Sequence, residues 1–164
     1  MYNIGDYVVY LRDVCKISDI KRKYMNDMDY YILIPVNDNS LKLSIPTNNK
    51  CIRNLITKEK VKKIIDNILN IEILLLDDKN IEIEYKRLLT TGLHEDLIKI
   101  IKTSYLRNKE RLDNKKKISD KDKTYFELAE KYLYTEFSIV LDMSFDETRD
   151  YVIENVMKGI NNEL

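Results

Sequence analysis

The chain has 164 residues, with 28 Lys+Arg against 28 Asp+Glu, one His and two Cys; it is 44% hydrophobic and 34% charged. This composition suits a globular protein of one or two domains with a real apolar core, and a net charge of zero excludes a chain that grips nucleic acid by bulk positive charge. No apolar run of about 18 residues occurs, so no membrane span is expected; no basic segment followed by an apolar stretch opens the chain, so a cytoplasmic protein without a secretory signal is expected.

Residues 1–53 read as a β module. Gly5-Asp6 makes a turn ahead of Tyr7, Val8, Val9 and Tyr10, all strong strand formers. Further strands are predicted over 14–25, 30–34 and 41–45, the last alternating apolar and polar residues with period two. Pro46 ends that strand, because proline has no N–H to give to a ladder. Asn26-Asp27 and Asn37-Asp38-Asn39-Ser40 supply turns between strands. Several short strands in so little chain predict a small β-barrel or a strongly bent antiparallel sheet, too small to bury a large core alone.

From residue 54 onward the apolar period becomes 3.6, and only helices are expected. Thr57 reads as the N-cap of a first helix with Val61, Ile64, Ile65, Ile68 and Leu69 on one face. Asp77-Asp78-Lys79-Asn80 is a turn, and a second helix over 81–91 is stopped by Gly92. A third covers 94–109, with Leu97, Ile98, Ile101 and Tyr105 facing inward. Ser119, with Asp122 three residues on, caps a fourth helix whose inward side is Tyr125, Leu128, Ala129, Tyr132, Leu133 and Val140. Ser144 and Glu147 form a capping box for a fifth, with Val152, Ile153 and Val156 inward. The predicted fold class is α+β: a β module over 1–53, then a five-helix bundle over 54–164.

Little in the chain points to catalysis. His94 is the only histidine, and a lone histidine at a helix start reads as a surface or capping residue. Cys15 and Cys51 have no metal-ligand spacing and make no disulfide framework. The three glycines lie far apart, so no phosphate loop is present. No catalytic residue, metal, cofactor or small-molecule substrate is expected, and the chain does not read as an enzyme. Two basic features stand out. Lys21-Arg22-Lys23 falls on or just after the second strand, where charge also guards a sheet edge. Residues 99–123 hold ten Lys+Arg against four Asp+Glu, including Lys115-Lys116-Lys117; this is a solvated loop or a phosphate-contacting patch. Split by part, residues 1–53 carry 8 basic and 6 acidic side chains, residues 54–164 carry 20 and 22.

The opening Asn3-Ile4-Gly5-Asp6-Tyr7-Val8-Val9-Tyr10 resembles the V-G-D-x-V-V-Y start of the CarD/CdnL family of bacterial transcription regulators. Tyr31-Ile32-Leu33 and the run Leu41 to Pro46 are similar to that family's Y-x-V-L and to its strand ending V-P. Ile118-Ser119, Asp122-Lys123, Ala129 and Leu133 are similar to its L-S-x-x-E-K…A…L. The motifs occur in family order over nearly the whole chain.

The resemblance implies a Tudor-like N-terminal module that binds the β subunit of bacterial RNA polymerase. It also implies a helical domain that touches promoter DNA at the upstream edge of the transcription bubble and stabilises the open complex. Of the family's two basic polymerase contacts, one falls on Arg22 and the other on Ser44, with Lys42 two residues away as a substitute on the same strand face. The family's DNA wedge, N-W-x-R-R-Y-K, aligns with residues 80–86: Ile81 stands for the tryptophan, and Ile83 and Glu84 for the two arginines. The DNA-binding set is then Ile81, Tyr85, Lys86 and Arg87, an apolar tip flanked by bases. Tethering by polymerase explains the lack of basic excess, since effective concentration replaces intrinsic DNA affinity. The alternative is an interaction module that binds polymerase or another partner without touching DNA. Exposure of Ile81 and Tyr85 favours the first reading, and their burial the second.

Overall fold

In the computed structural model, residues 1–163 are described. They form two compact units, Met1–Leu55 and Ile56–Leu164, against the expected division at 53/54.

The first unit holds five strands: β1 Tyr7–Tyr10, β2 Asp13–Met25, β3 Met28–Pro35, β4 Leu43–Pro46 and β5 Ile52–Arg53. They form one sheet in the order β4-β3-β2-β1-β5, with every pairing antiparallel. The sheet is open, with β4 and β5 as its edges, so of the two expected forms the antiparallel sheet is found and the closed barrel is not. Closure would need β4 to pair with β5, which spans two residues and pairs with β1 alone. Pro46 closes β4 from within it, opposite Tyr30, as an edge strand allows.

Turn chemistry sets the register. Met25 pairs with Met28, and Asn26 and Asp27 between them take φ +51° and +57°. Two left-handed residues in a two-residue loop make the hairpin turn whose twist matches the strands, and Asn and Asp tolerate that region well. Tyr10 pairs with Asp13, and Leu11 in that loop takes φ +59°, a conformation in which its Cβ is strained. In β2 the register slips between Ile17 and Asp19 and again between Lys21 and Met25. Such bulges bend a strand and increase its twist. Val8, Cys15, Ile17, Tyr31, Leu33 and Ile45 form the core of this unit.

The second unit holds α1 Lys58–Asn67, a 3-10 turn Ile68–Asn70, then α2 Ile81–Thr91, α3 His94–Asp113, α4 Asp120–Leu141 and α5 Phe145–Glu163. Among its described residues there is no strand. The caps are those read from the sequence: Thr57 Oγ1 accepts from the Lys60 amide at 3.3 Å, Ser119 Oγ from Asp122 at 3.3 Å, and Ser144 Oγ from Glu147 at 3.1 Å. Gly92 ends α2 at φ +66°. Val61, Ile81, Tyr85, Leu88, Ile100, Ala129, Leu133 and Phe137 are central to one apolar core. Two expected inward residues lie outward instead: Tyr105 and Ile153 are exposed, because they rim an apolar cleft among α3, α4 and α5 that no element among the described residues fills. No helix among the described residues is long and apolar enough to cross a membrane.

Candidate functional site

Arg22 lies on β2 with 59% of its side chain exposed. It is not a loose cation. Its Nη1 donates to Asp29 Oδ2 at 2.6 Å, and the backbone amide of Lys23 donates to Asp29 Oδ1 at 2.9 Å. Lys23 takes φ +47° within the second register slip, so Asp29 holds the irregular turn of β2 and aims Arg22 together. The Arg22 hydrogen bond, followed by the Lys23 amide, lowers the Asp29 pKa below its ordinary value. Sequence reading missed Asp29 because a carboxylate at a hairpin foot carries no pattern of its own.

Ser44 is exposed on the edge strand β4, opposite Ile32. Lys42 is exposed too, but it precedes β4 and is not on a strand. The expected placement of Lys42 within the fourth strand, on the face of Ser44, is corrected, since β4 starts at Leu43. Lys42 adjoins Leu43, which pairs with Leu33, whereas Arg22 adjoins Lys21, which pairs with Tyr30. The two cations therefore lie towards opposite ends of β3. Tyr24 stacks edge-on to Tyr30 at 5.7 Å, and Lys21 Nζ sits 4.7 Å from the Tyr24 ring centre, so an aromatic and basic cluster neighbours Arg22 along β2.

On α2 the structure separates the four expected DNA residues. Ile81 and Tyr85 are fully buried, which corrects the expected exposed tip. Their spacing of four is that of the core stripe, continued by Leu88 and Leu89. The Tyr85 hydroxyl donates to Asp122 Oδ1 at 2.7 Å. Asp122 is itself fully buried and accepts from Arg107 Nε at 3.2 Å. Arg107 also reaches the Leu76 carbonyl at 3.2 Å and the Asp78 carboxylate, so one network fastens the segment ahead of α2 to α3 and α4. A buried phenol must find a partner, and a buried carboxylate needs a cation or donors; here each satisfies the other. Burial and the Asp122 hydrogen bond raise the Tyr85 pKa.

Lys86 and Arg87 are on the opposite, solvent side. Lys86 Nζ lies 3.7 Å from Glu82 Oε1, and Arg87 forks onto Glu84, with Nε at 3.0 Å from Oε2. Each cation of α2 is thus matched by a carboxylate one turn back, which weakens any pull on phosphate. The exposed apolar residue of α2 is Ile83, at 67%. Ile83, Lys86 and Arg87 share one face at i, i+3, i+4 spacing, a signal as plain in the sequence as the Ile81–Tyr85 pair.

His94, expected at the surface, is partly buried: Nε2 lies 2.8 Å from Glu136 Oε2, and Glu136 Oε1 accepts the Ile56 amide at 2.9 Å. The histidine thus ties the start of α3 to α4. Cys15 is buried, and burial, with Asp13 nearby, pushes its thiol up to about 11, so it is a core residue without nucleophilic character. Neither a protein-family model nor a curated protein sequence matches this chain.

Proposed function

We propose that this protein is a transcription regulator that docks on the β subunit of bacterial RNA polymerase through its N-terminal sheet and changes the stability of the open promoter complex. The observation that supports this most is Arg22: an exposed guanidinium, pre-aimed by Asp29, on an open sheet whose edge strand carries Ser44. A planar fork held in place suits a partner carboxylate, because less side-chain freedom is lost on binding. The order of the sequence motifs through both units supports the same family, with the first unit as its Tudor-like module in open form and the protein acting in the cytoplasm.

The burial of Ile81 and Tyr85 favours a version of this function in which α2 does not wedge DNA. Polymerase contact then carries the affinity. The face of α2 left to solvent, Ile83, Lys86 and Arg87, has little pull on phosphate, because Glu82 and Glu84 pair with the two bases. The test is the lifetime of an open promoter complex with purified polymerase, with and without the full chain. The wild type changes the lifetime, and Lys86→Ala leaves that change within about twofold at low salt, since a paired surface base contributes little. An unchanged lifetime with the wild type overturns the regulator reading, and a large loss with Lys86→Ala restores DNA contact by α2 to the centre of the mechanism.

A further inference from the structure

The helical unit has an apolar groove that neither the sheet contact nor α2 uses. A cavity of about 560 Å³ lies among α3, α4 and α5, lined by Ile98, Tyr105, Phe126, Ile153, Met157 and Ile160 among others. A second, of about 280 Å³, continues along α3 and α4 past Leu112 and Ile118. The two share Tyr105 and Phe126, so they form one trough. Its lips are apolar and open to solvent: Tyr105 is 55% exposed, Ile153 and Met157 51% each. Contiguous exposed apolar side chains of this size mark interaction surfaces, because leaving them in water costs free energy that a partner removes.

Shape and charge together define the occupant. Between Ile98 and Leu112 on α3 the trough runs roughly 21 Å at 1.5 Å per residue, enough for about four turns of helix. That is long for a compact small ligand and suited to a helix laying one apolar stripe into a groove. Charge is unequal along it. In the larger cavity Lys102 and Arg149 are balanced by Glu127 and Glu130, and Glu130 accepts from Arg149 at 3.1 Å. In the smaller one the charged lining residues are Lys109 and Lys123, both basic. Lys115, Lys116 and Lys117 follow α3 at that same end.

We propose that this trough is a docking site for an amphipathic helix of a partner protein, with its apolar stripe against Tyr105, Phe126 and Ile153 and an acidic end over Lys109 and Lys123. The proposal does not depend on the polymerase contact.

The test uses the full chain and two synthetic helical peptides with the same Leu stripe at i, i+3, i+4, i+7 spacing, one with a Glu-rich end and one with a Lys-rich end. Binding is read by fluorescence anisotropy and by methyl NMR. The Glu peptide binds and shifts the methyls of Ile153, Met157 and Ile160, while those of Ile4 and Ile83 stay in place. The Lys peptide binds about tenfold or more weakly, since it meets like charge at Lys109 and Lys123. Ile153→Glu, at an exposed position that leaves the core intact, abolishes peptide binding without changing affinity for the polymerase β lobe. Equal binding of both peptides, binding of neither, or self-association of the full chain that shifts the same methyls overturns the proposal.

Discussion

Tyr85 donates its hydroxyl to the buried carboxylate of Asp122 at 2.7 Å, and Arg107 completes the charge balance from the other side. This one relationship decides which way α2 faces. Tyr85 can reach Asp122 only if the Ile81-Tyr85-Leu88 stripe turns into the bundle, and that turns Ile83, Lys86 and Arg87 out.

Tyr85→Phe keeps the ring but removes the donor, leaving Asp122 with Arg107 alone. The loss is about 1–3 kcal/mol of stability, the cost of an unanswered buried polar group. Ile81→Ala costs about 2–5 kcal/mol because it opens a cavity in a fully buried position. Ile81→Trp costs about 1–3 kcal/mol or more by overpacking. Chemical denaturation of the full chain measures all three. A neutral Ile81→Trp would mean that this position opens to solvent.

Leu11 holds φ +59° in the loop between β1 and β2. Leu11→Gly relieves the Cβ strain, worth roughly 1–2 kcal/mol for a left-handed residue, while glycine adds unfolded-state entropy of about 0.5–1 kcal/mol. The net expectation is a stability gain of up to about 1 kcal/mol, seen as a raised denaturation midpoint. A loss would show that Leu11 packs in a way that outweighs its backbone strain.

Most elements were legible because they are marked locally, whereas β5, two residues paired with Val9 and Tyr10, has no local mark. Thr57, Ser119 and Ser144 stand where their helices start, Gly92 stands where α2 stops, and Asn26-Asp27 turns the β2–β3 hairpin. The orientation of α2 was not legible. Ile81 and Tyr85 lie four apart, and so do Ile83 and Arg87; spacing alone does not say which side meets the core. The answer lies in Asp122 and Arg107, far along the chain, and Asp122 reads locally as no more than a capping-box residue. Tyr105 continues the Leu97-Ile98-Ile101 pattern but stays exposed, because it rims an unfilled cleft with Phe126 of α4 and Ile153 of α5. Arg22 was found, whereas its anchor Asp29 has no pattern to announce it.

Acid should loosen two latches in the same window. Asp29 is held below its ordinary value of 3.8 by the hydrogen bond from Arg22 and then the Lys23 amide, and Asp78 by the hydrogen bond and charge of Arg107. A lowered folded value means that the stabilisation is complete above the unfolded value of 3.8 and is lost as pH falls below it through the folded values. Carboxyl NMR titration reads both groups directly. Arg22→Ala moves Asp29 up towards its ordinary value and leaves Asp78 unchanged. If Asp29 titrates ordinarily in the wild type, Arg22 is not held by it.

The proposed function rests on the sheet docking on polymerase through Arg22. Isothermal titration of the full chain against the isolated β-subunit lobe tests it most directly, with Arg22→Glu and Ile83→Glu alongside the wild type and circular dichroism confirming that both variants fold. The expected result is saturable binding by the wild type, a loss of about thirtyfold or more for Arg22→Glu, which reverses charge at a close pair, and unchanged affinity for Ile83→Glu. No binding by the wild type, or equal binding by a folded Arg22→Glu, would contradict it.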